Sequence, residues 1–237
     1  MQLAFCWSHV RGRFYELAAA GPAPIASETL ERIGALYAVE KDIRGRNPDE
    51  RRVEVDHSTL NRWVVRYGPM PDRQFRDRKR PVGSGWRMDE TYMKVKGMWK
   101  YLYRAVDKAG ATVDFLLTAK RDRKAALRFL RKAIGQHGIP EKVTIGKSGA
   151  NTAAMESYNE EGDAKIEVRQ NKYLNNIVEQ DHRAIKRMAR PMLGFKSFRS
   201  AAATLAGIEL MHMIRKGQVR ETTLDLSPAE MFYALAA

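Results

Sequence analysis

The chain has a single cysteine, Cys6, among its 237 residues. One cysteine excludes an internal disulfide framework and fits a reducing compartment. No apolar run approaches the roughly 20 residues that a membrane-spanning helix needs. The first residues also lack the basic start and apolar run of a signal peptide. We therefore expect a cytoplasmic protein with no membrane partner.

Acidic side chains are scarce relative to basic ones. The chain has 42 Lys and Arg residues against 28 Asp and Glu residues, which gives a net charge of +14. Residues 1–52 hold eight basic and seven acidic residues, so +13 of this charge lies downstream of them. An excess of this size favours a polyanionic partner, and phosphate contacts make nucleic acid the first candidate.

Residues 1–52 are a different kind of sequence from the rest. Apolar residues at helical spacing predict a helix from Trp7 to Leu17 and a second from Ile25 to Ile43, separated by a Gly-Pro-Ala-Pro break. Cys6 and His9 form half of a zinc site, but there is no second cysteine. We therefore interpret both as packing residues.

This first segment resembles an internal piece of the insertion-sequence-sixty-six type transposases. The resemblance rests on CWSHVRGRFYEL followed by APIASETLERIGALYAVEKDIRGRNPDERR, and it covers Leu3 to Arg52. In that family the segment lies between the second and third catalytic carboxylates. The resemblance therefore implies that this part of the chain holds no catalytic residue.

A capped amphipathic helix is predicted in VDHSTLNRWVVRYGP, which begins at Val55, with Asp56 as its cap. Its polar positions can reach base edges and phosphates, as in the recognition helix of a helix-turn-helix. An ordinary helix with a solvated face remains the alternative. Residues 70–82 follow as a basic linker that we expect to track phosphate. The candidate DNA-binding residues of the helix are His57, Ser58, Thr59, Asn61, Arg62 and Arg66.

The order of elements from residue 86 onward predicts an α/β fold. Three hairpin-prone strands span residues 86–120, and a helix, a strand, a helix, a strand and a helix follow. A last helix is expected from about Ser197 to Arg215. This order suits a mixed sheet with helices on both faces.

Two carboxylates in this region are candidates for chemistry. Asp89 stands in the middle of a predicted strand, where propensity disfavours aspartate, so it is either a paired structural residue or a ligand. Glu179 lies in the first turns of a predicted helix. Arg183 and Lys186 follow four and seven residues later, on the same helical face. This arrangement suits metal and phosphate held together, and we interpret His182 as structural or DNA-facing.

The chain also resembles the transposases of the insertion-sequence-six (twenty-six) family. The resemblance rests on WRMDETYMKVKGMWKYLYRAVDKAGATVDFLL, AKRDRKAALRFLRKA and NNIVEQDHRAIKRMARPMLGFKSF, and it extends from about Val53 to about Gly217. It implies a ribonuclease H-like fold of the retroviral-integrase superfamily, preceded by a helical DNA-binding remnant. Those enzymes use an Asp-Asp-Glu triad, with a Lys or Arg seven residues after the Glu.

The resemblance assigns roles to individual residues. Asp89 and Glu179 match the first and third triad positions and would hold Mg²⁺ (or Mn²⁺), and Lys186 would hold DNA near the cleaved phosphate. Further expected DNA contacts are Lys147, Arg183, Lys186 and Arg187. The implied partner is double-stranded DNA, as transposon ends and target DNA. The implied protein is a homodimer in the bacterial cytoplasm, associated with the nucleoid.

Two departures from the family pattern bear on activity. Gly146 in VTIGKSGAN occupies the place of the second aspartate, and glycine has no oxygen ligand. Residues 1–52 replace the family's first DNA-binding helices. The leading hypothesis is a transposase that binds inverted repeats and is impaired by Gly146. The alternatives are a non-catalytic DNA-binding remnant and a stand-alone nuclease.

These observations predict four segments. Residues 1–52 are a helical segment of foreign transposase origin, and residues 53–82 are a partial helix-turn-helix with a basic linker. Residues 83–217 form the ribonuclease H-like catalytic domain, and residues 218–237 form a C-terminal tail.

Overall fold

A computed structural model describes residues 7–43, 72, 75–162, 165–171, 173–220, 227–228 and 231–232. The chain divides into two compact units, residues 1–78 with 219–237 and residues 79–218. The predicted helix at 56–67 lies outside the described residues, and so do its candidate DNA contacts and Cys6. Within the described part, no helix is long and apolar enough to cross a membrane.

The first unit contains the two helices predicted near the N-terminus. Helix α1 spans Trp7–Ala20 and α2 spans Pro24–Ile43, which confirms both predictions and the break between them. Phe14 of α1 packs with Ala26 and Ile33 of α2 in a small apolar cluster. This cluster stabilises the helix pair because neither helix alone could remove these side chains from water.

The second unit is built on a five-stranded mixed sheet. Its strands lie in the order β3-β2-β1-β4-β5, with β1 antiparallel to β2, β2 antiparallel to β3, and β4 parallel to both β1 and β5. This topology confirms the predicted mixed sheet. The strand bounds are Gly85–Val95 (β1), Met98–Asp107 (β2), Thr112–Thr118 (β3), Lys142–Ile145 (β4) and Glu167–Gln170 (β5).

Four helices flank this sheet, as predicted. They are α3 (Arg123–His137), α4 (Gly149–Glu161), α5 (Asn176–Ala189) and α6 (Phe198–Arg215). Asp122 caps α3 by accepting a hydrogen bond from the Ala125 N–H, and Ser197 caps α6 in the same way through Ser200. Short helices at Tyr173–Asn175 and Arg190–Met192 border α5.

The two faces of β1 contact different helices. Trp86 and Met88 point into the main apolar core, where they join Phe129 of α3 and Met155 of α4. Side chains alternate along a strand, so Asp89 points to the opposite face. There it lies beside His182 of α5. The core and the candidate site therefore occupy opposite faces of one strand.

The prediction that residues 70–82 track phosphate is wrong for Lys79. Its side chain is buried, and Nζ donates a hydrogen bond of 2.5 Å to the Val113 carbonyl oxygen. A buried ammonium group must be satisfied by such acceptors, since leaving it unpaired would be costly. Lys79 therefore fastens the start of the second unit to β3 and is withdrawn from solvent.

Candidate active site

Asp89 and Gly146 occupy neighbouring positions at the end of the parallel pairing between β1 and β4. The last pair is Met88 with Ile145. Asp89 follows Met88 within β1, and Gly146 follows Ile145 directly after β4. Ile145 and Met88 both belong to the apolar core, so side chains at 89 and 146 point to the other face. An oxygen ligand at 146 would therefore stand beside Asp89.

Asp89 occupies an environment that disfavours its charge. Burial raises the pKa of Asp89 to about 7, and the negative charges of Glu90 and Glu179 add to the rise. The Arg121 guanidinium opposes it only weakly. Crowding of carboxylates around a partly buried aspartate is typical of functional sites and of sites that receive a cation.

His182 lies against Asp89 but is not its proton partner. The distance from His182 Nδ1 to Asp89 Oδ2 is 3.6 Å, beyond a hydrogen bond. Burial lowers the pKa of His182 to about 3, and the charges of Arg104 and Lys186 add to this effect. His182 is therefore neutral and buried. This placement fits the structural role predicted for it and contradicts the DNA-facing one.

Asn175 joins the two strands to the start of α5. Its Nδ2 group donates a hydrogen bond of 3.4 Å to the Met88 carbonyl oxygen, and its Oδ1 atom is buried without a partner among the described residues. A Cβ atom added at Gly146 would lie 3.8 Å from Asn175 Nδ2, which is ordinary van der Waals contact. Position 146 therefore has room for a Cβ atom.

The predicted cations of α5 point into solvent beside Glu179. Glu179 is partly exposed in the first turn of α5, and Arg183, Lys186 and Arg187 are exposed further along it. Lys147, which follows β4, is also exposed. Of the predicted site residues within the described part, Asp89 and Glu179 are close enough for their charges to interact.

A large open cleft extends from the cations of α5 to the β1–β2 hairpin. Its volume is about 1190 Å³. We call it the aromatic–cationic cleft, because aromatic and basic side chains line it together. Its aromatic and basic residues are Tyr92, Trp99, Phe195, Lys94, Arg183, Lys186, Arg187 and Arg190.

A buried network of charges fastens α5 to its neighbours. Asp181 accepts hydrogen bonds from Arg104 of β2 at 3.0 Å and from Lys216 at 2.6 Å, and it contacts His212 of α6 at 3.1 Å. Burial alone would raise the pKa of Asp181, but the His212 hydrogen bond and the charges of Arg104 and Lys216 hold it well below its usual range. Arg104 also pairs with the fully buried Glu209 of α6.

Sequence reasoning missed several of these residues. Glu209 reads as a solvent-exposed helix residue, and nothing local indicates that Arg104 lies opposite it. Tyr92 lies in a predicted strand, and nothing next to it in the sequence indicates that its side chain is exposed. The one signal that could have indicated the cleft is the alternation of large aromatic residues along the hairpin. A strand that is buried on one face exposes the side chains of its other face to solvent.

The donor set near Asp89 fits a hard divalent cation in part. Mg²⁺ is commonly held by one or two carboxylates and keeps several of its waters. Asp89 and Glu179 can supply these two, and a cation would relieve the charge crowding that raises the pKa of Asp89. Among the described residues, no group of three or more His, Cys, Asp or Glu residues could hold a metal ion.

Two protein families match consecutive parts of the chain. A family described as "DDE domain" matches residues 83–218, and one described as "Transposase IS66 family" matches residues 1–81. The second match confirms the resemblance of the N-terminal segment and extends it beyond the predicted Leu3–Arg52.

Curated relatives match most of the chain. The transposase for insertion sequence-like element IS431mec of Staphylococcus aureus (strain N315) is 40% identical over 169 residues, which is 70% of this chain and 74% of the relative. The transposase for insertion sequence element IS257 in transposon Tn4003, also from Staphylococcus aureus, is 39% identical over 168 residues. That alignment covers 70% of this chain and 73% of the relative.

Solved structures give more distant likenesses. The HTLV-2 integrase catalytic core domain in complex with magnesium (dimeric form) has 15% identity and a TM-score of 0.44, covering 65% of this chain and 99% of that one. The simian T-cell lymphotropic virus intasome in complex with PP2A regulatory subunit B56 gamma has 15% identity and a TM-score of 0.42, covering 65% and 56%.

The matched domain and relatives settle the family. The DDE-domain match spans more than half of the chain, and the relatives are about 40% identical over most of their own length. The mixed sheet with helices on both faces is the ribonuclease H-like fold expected of this domain. The N-terminal segment is similar to the insertion-sequence-sixty-six type, and the chain belongs to the DDE transposases of the insertion-sequence-six (twenty-six) family, which are polynucleotidyl transferases.

Proposed function

We propose that this chain binds the terminal inverted repeats of an insertion sequence and carries the remains of a Mg²⁺-dependent strand-cleavage and strand-transfer centre, impaired by Gly146. The observation that carries this proposal is the position of Asp89. Its pKa is raised by burial and by Glu90 and Glu179, and it stands beside the position where the family has its second aspartate.

The residues of the centre have distinct roles in this proposal. Asp89 and Glu179 hold the divalent cation, and Lys186 holds the DNA phosphate next to the cleaved bond. Arg183, Arg187 and Lys147 neutralise the neighbouring backbone, since all three side chains are exposed. The helix at 57–66 reads the transposon end.

A bound Mg²⁺ (or Mn²⁺) would supply activation of the attacking oxygen and stabilisation of the leaving oxygen in phosphodiester transfer. The chain's own residues orient the DNA and hold the cation. A glycine at 146 removes one oxygen donor from the set, so Asp89 and Glu179 alone must balance the cation's charge. Loss of a single group that acts on the transition state typically costs about 10³-fold in rate.

The proposal includes a DNA-bound homodimer in the bacterial cytoplasm, associated with the nucleoid. A net charge of +14 supports attraction to DNA over long distances at low salt. The proposed partner is double-stranded DNA, which the protein binds both as the transposon end and as the target.

Strand transfer by the Gly146→Asp variant tests the proposal directly. We expect the chain itself to transfer a labelled inverted-repeat end poorly in Mg²⁺, and the variant to gain about 10³-fold. The Cβ atom of the new side chain fits at position 146 without a close contact. The matched control is Gly135→Asp, which adds the same carboxylate at an exposed position of α3 with open space around it.

Three outcomes of this experiment decide the matter. Activity gained by Gly146→Asp and lost again with Asp89→Ala supports the proposal. Activity already present with Gly146 and abolished by Asp89→Ala contradicts the role given to position 146. Activity in neither protein, with binding of the end retained, favours a second function, that of a non-catalytic DNA-binding remnant. The residue that specifically favours this second function is Gly146 itself.

A further inference from the structure

The aromatic–cationic cleft presents exposed aromatic rings in fixed positions. Trp99 is 60% exposed and Tyr92 is 45% exposed, although both lie in regular strands. Tyr92 meets Trp99 edge to face at 6.2 Å and Tyr101 at 5.3 Å between ring centres. These contacts hold the rings in place while leaving their surfaces open. Exposed tryptophan on a rigid strand is a surface on which a planar group can stack.

The cleft is strongly cationic. Its basic lining residues are Lys94 of β1 and, from α5 and the turn after it, Arg183, Lys186, Arg187 and Arg190; none of its lining residues is Asp or Glu. None of these five side chains forms an ion pair with any residue in the described part of the chain. Their charges are therefore available to an anionic ligand. Five uncompensated cations in one cleft fit a chain of phosphates better than a neutral or acidic protein surface.

The turn after α5 ties the two walls of the cleft together. The Phe195 N–H donates to the Lys94 carbonyl oxygen at 2.9 Å, and the Lys96 N–H donates to the Phe195 oxygen at 2.7 Å. Gly194 has φ +103°, and a Cβ atom there would lie 3.2 Å from the Lys94 oxygen. Only glycine suits this close approach. Main-chain hydrogen bonds therefore join the hairpin side of the cleft to the turn after α5.

We propose that the aromatic–cationic cleft binds an unpaired DNA strand, with a base stacked on Trp99 and Tyr92 and its phosphates on the cations of α5. Bases inside a duplex are covered by their neighbours, so exposed aromatic rings gain contact only with bases outside the helix. The inference rests on the proposed function, since the strand would be the one freed at a cleaved transposon end.

Oligonucleotide binding by the full chain tests this inference without metal or chemistry. The probes are a fluorescent twelve-nucleotide oligo(dT) and a blunt duplex of equal length, followed by anisotropy in EDTA. We expect Trp99→Ala to weaken oligo(dT) binding about ten-fold and duplex binding by less than about two-fold, because only the unpaired base stacks on the ring. Trp99→Phe, which keeps an aromatic face, should stay within about three-fold of the original.

Two further variants separate stacking from charge and from folding. Met98→Ala changes an equally exposed neighbour in the same hairpin that does not line the cleft, and it should alter neither affinity. Arg187→Gln should weaken the binding of both probes and flatten the salt dependence, because it removes a phosphate contact. Since Trp99 is mostly exposed, its variants should keep the circular dichroism and melting temperature of the original.

Several outcomes would overturn the inference. Unchanged oligo(dT) affinity in Trp99→Ala removes the stacking role, and an equal loss for both probes makes the cleft a general duplex surface. If Trp99→Ala instead converts a dimer into a monomer in sedimentation, the rings cover a second copy of the chain. Failure of strand transfer by Gly146→Asp, with Trp99-dependent binding intact, would refute the proposed chemistry and leave the strand site standing.

Discussion

Asp89 is held where its charge is unfavourable, and this has a cost that depends on pH. Its pKa in the folded chain is about 7, against an ordinary value of 3.8. Between these values the folded state binds a proton more tightly than the unfolded state does. The free energy of unfolding therefore falls as pH rises from about 4 to about 7, by roughly 1.4 kcal/mol per pH unit.

We predict that Asp89→Asn stabilises the protein in the absence of divalent cations. The gain should be small at about pH 5 and larger by a few kcal/mol at about pH 8, because the amide removes a charge that only the folded state disfavours. Urea unfolding at the two pH values, in EDTA, measures the difference. A gain that does not grow with pH would contradict the charge crowding around Asp89.

Asp107 provides the matched control for that substitution. Its carboxylate accepts hydrogen bonds of 2.9 Å from the N–H groups of Gly83, Ala109 and Ala111. An amide has only one acceptor oxygen, so Asp107→Asn should destabilise the protein at both pH values. The two aspartates lie on neighbouring strands. Comparing their variants thus distinguishes a carboxylate that stabilises the fold from one that destabilises it.

At the scale of elements, α5 is positioned by the charges beneath it. Asp181 binds Arg104 and Lys216, and Arg104 in turn pairs with Glu209 at 2.6 Å. The same helix carries Glu179, whose side chain is partly exposed. The buried network therefore fixes the height and rotation of α5 relative to β1, on which the spacing of Glu179 from Asp89 depends.

Removing one member of this network should cost more than removing a pair. We predict that Glu209→Leu destabilises the protein by about 3–5 kcal/mol, because the buried Arg104 loses one of the two carboxylates that compensate its charge. Arg104→Met combined with Glu209→Leu should recover part of the loss, since Asp181 keeps Lys216 and His212. Chemical denaturation of the two single variants and the double variant measures the coupling.

The exposed ion pair between Arg13 and Glu16 of α1 is the comparison. Its atoms are 3.0 Å apart, but both side chains are more than half exposed. Glu16→Gln should change stability by less than about 1 kcal/mol. A Glu209→Leu effect as small as that would mean that the network does not hold α5.

The elements themselves could be predicted from the sequence, but their long-range partners could not. Periodicity predicted α6 to within about one residue and placed Glu179 in the first turns of α5, because this signal is local. Arg104 and Glu209 pair although they are 105 positions apart in the chain. The sequence next to either residue does not indicate that its side chain is buried. Lys79 was expected in solvent for the same reason: lysine is almost always exposed unless a distant acceptor is present.

The residues of the candidate site were also predictable where their signals are local, but their spatial arrangement was not. Asp89 drew attention because aspartate is disfavoured in mid-strand, and Glu179 because two cations follow it at helical spacing. The register that places position 146 beside Asp89 required the sheet, since β1 and β4 are separated by two strands and a helix in the chain. The cleft required the turn at Gly194, whose contact with β1 has no local signal.

At the scale of the whole molecule, two compact units have separate apolar clusters. Phe14, Ala26 and Ile33 pack within residues 1–78 and 219–237, whereas Met88, Phe129 and Met155 pack within residues 79–218. An apolar core of its own is the condition for cooperative folding of a domain. The second unit, at 140 residues (218 − 79 + 1), is long enough to bury such a core.

We predict that a fragment of residues 79–218 unfolds in a single cooperative transition and keeps Trp99-dependent binding of oligo(dT). The sheet, α5 and the cleft all lie within it, whereas the predicted helix at 57–66 does not. The fragment should therefore lose any preference for a transposon-end duplex over a scrambled one while keeping its affinity for an unpaired strand. Calorimetry tests the first expectation, and competition between the two duplexes tests the second. Retained end preference in the fragment would move recognition from the helix at 57–66 into the catalytic domain, and non-cooperative unfolding would mean that the sheet needs the first unit.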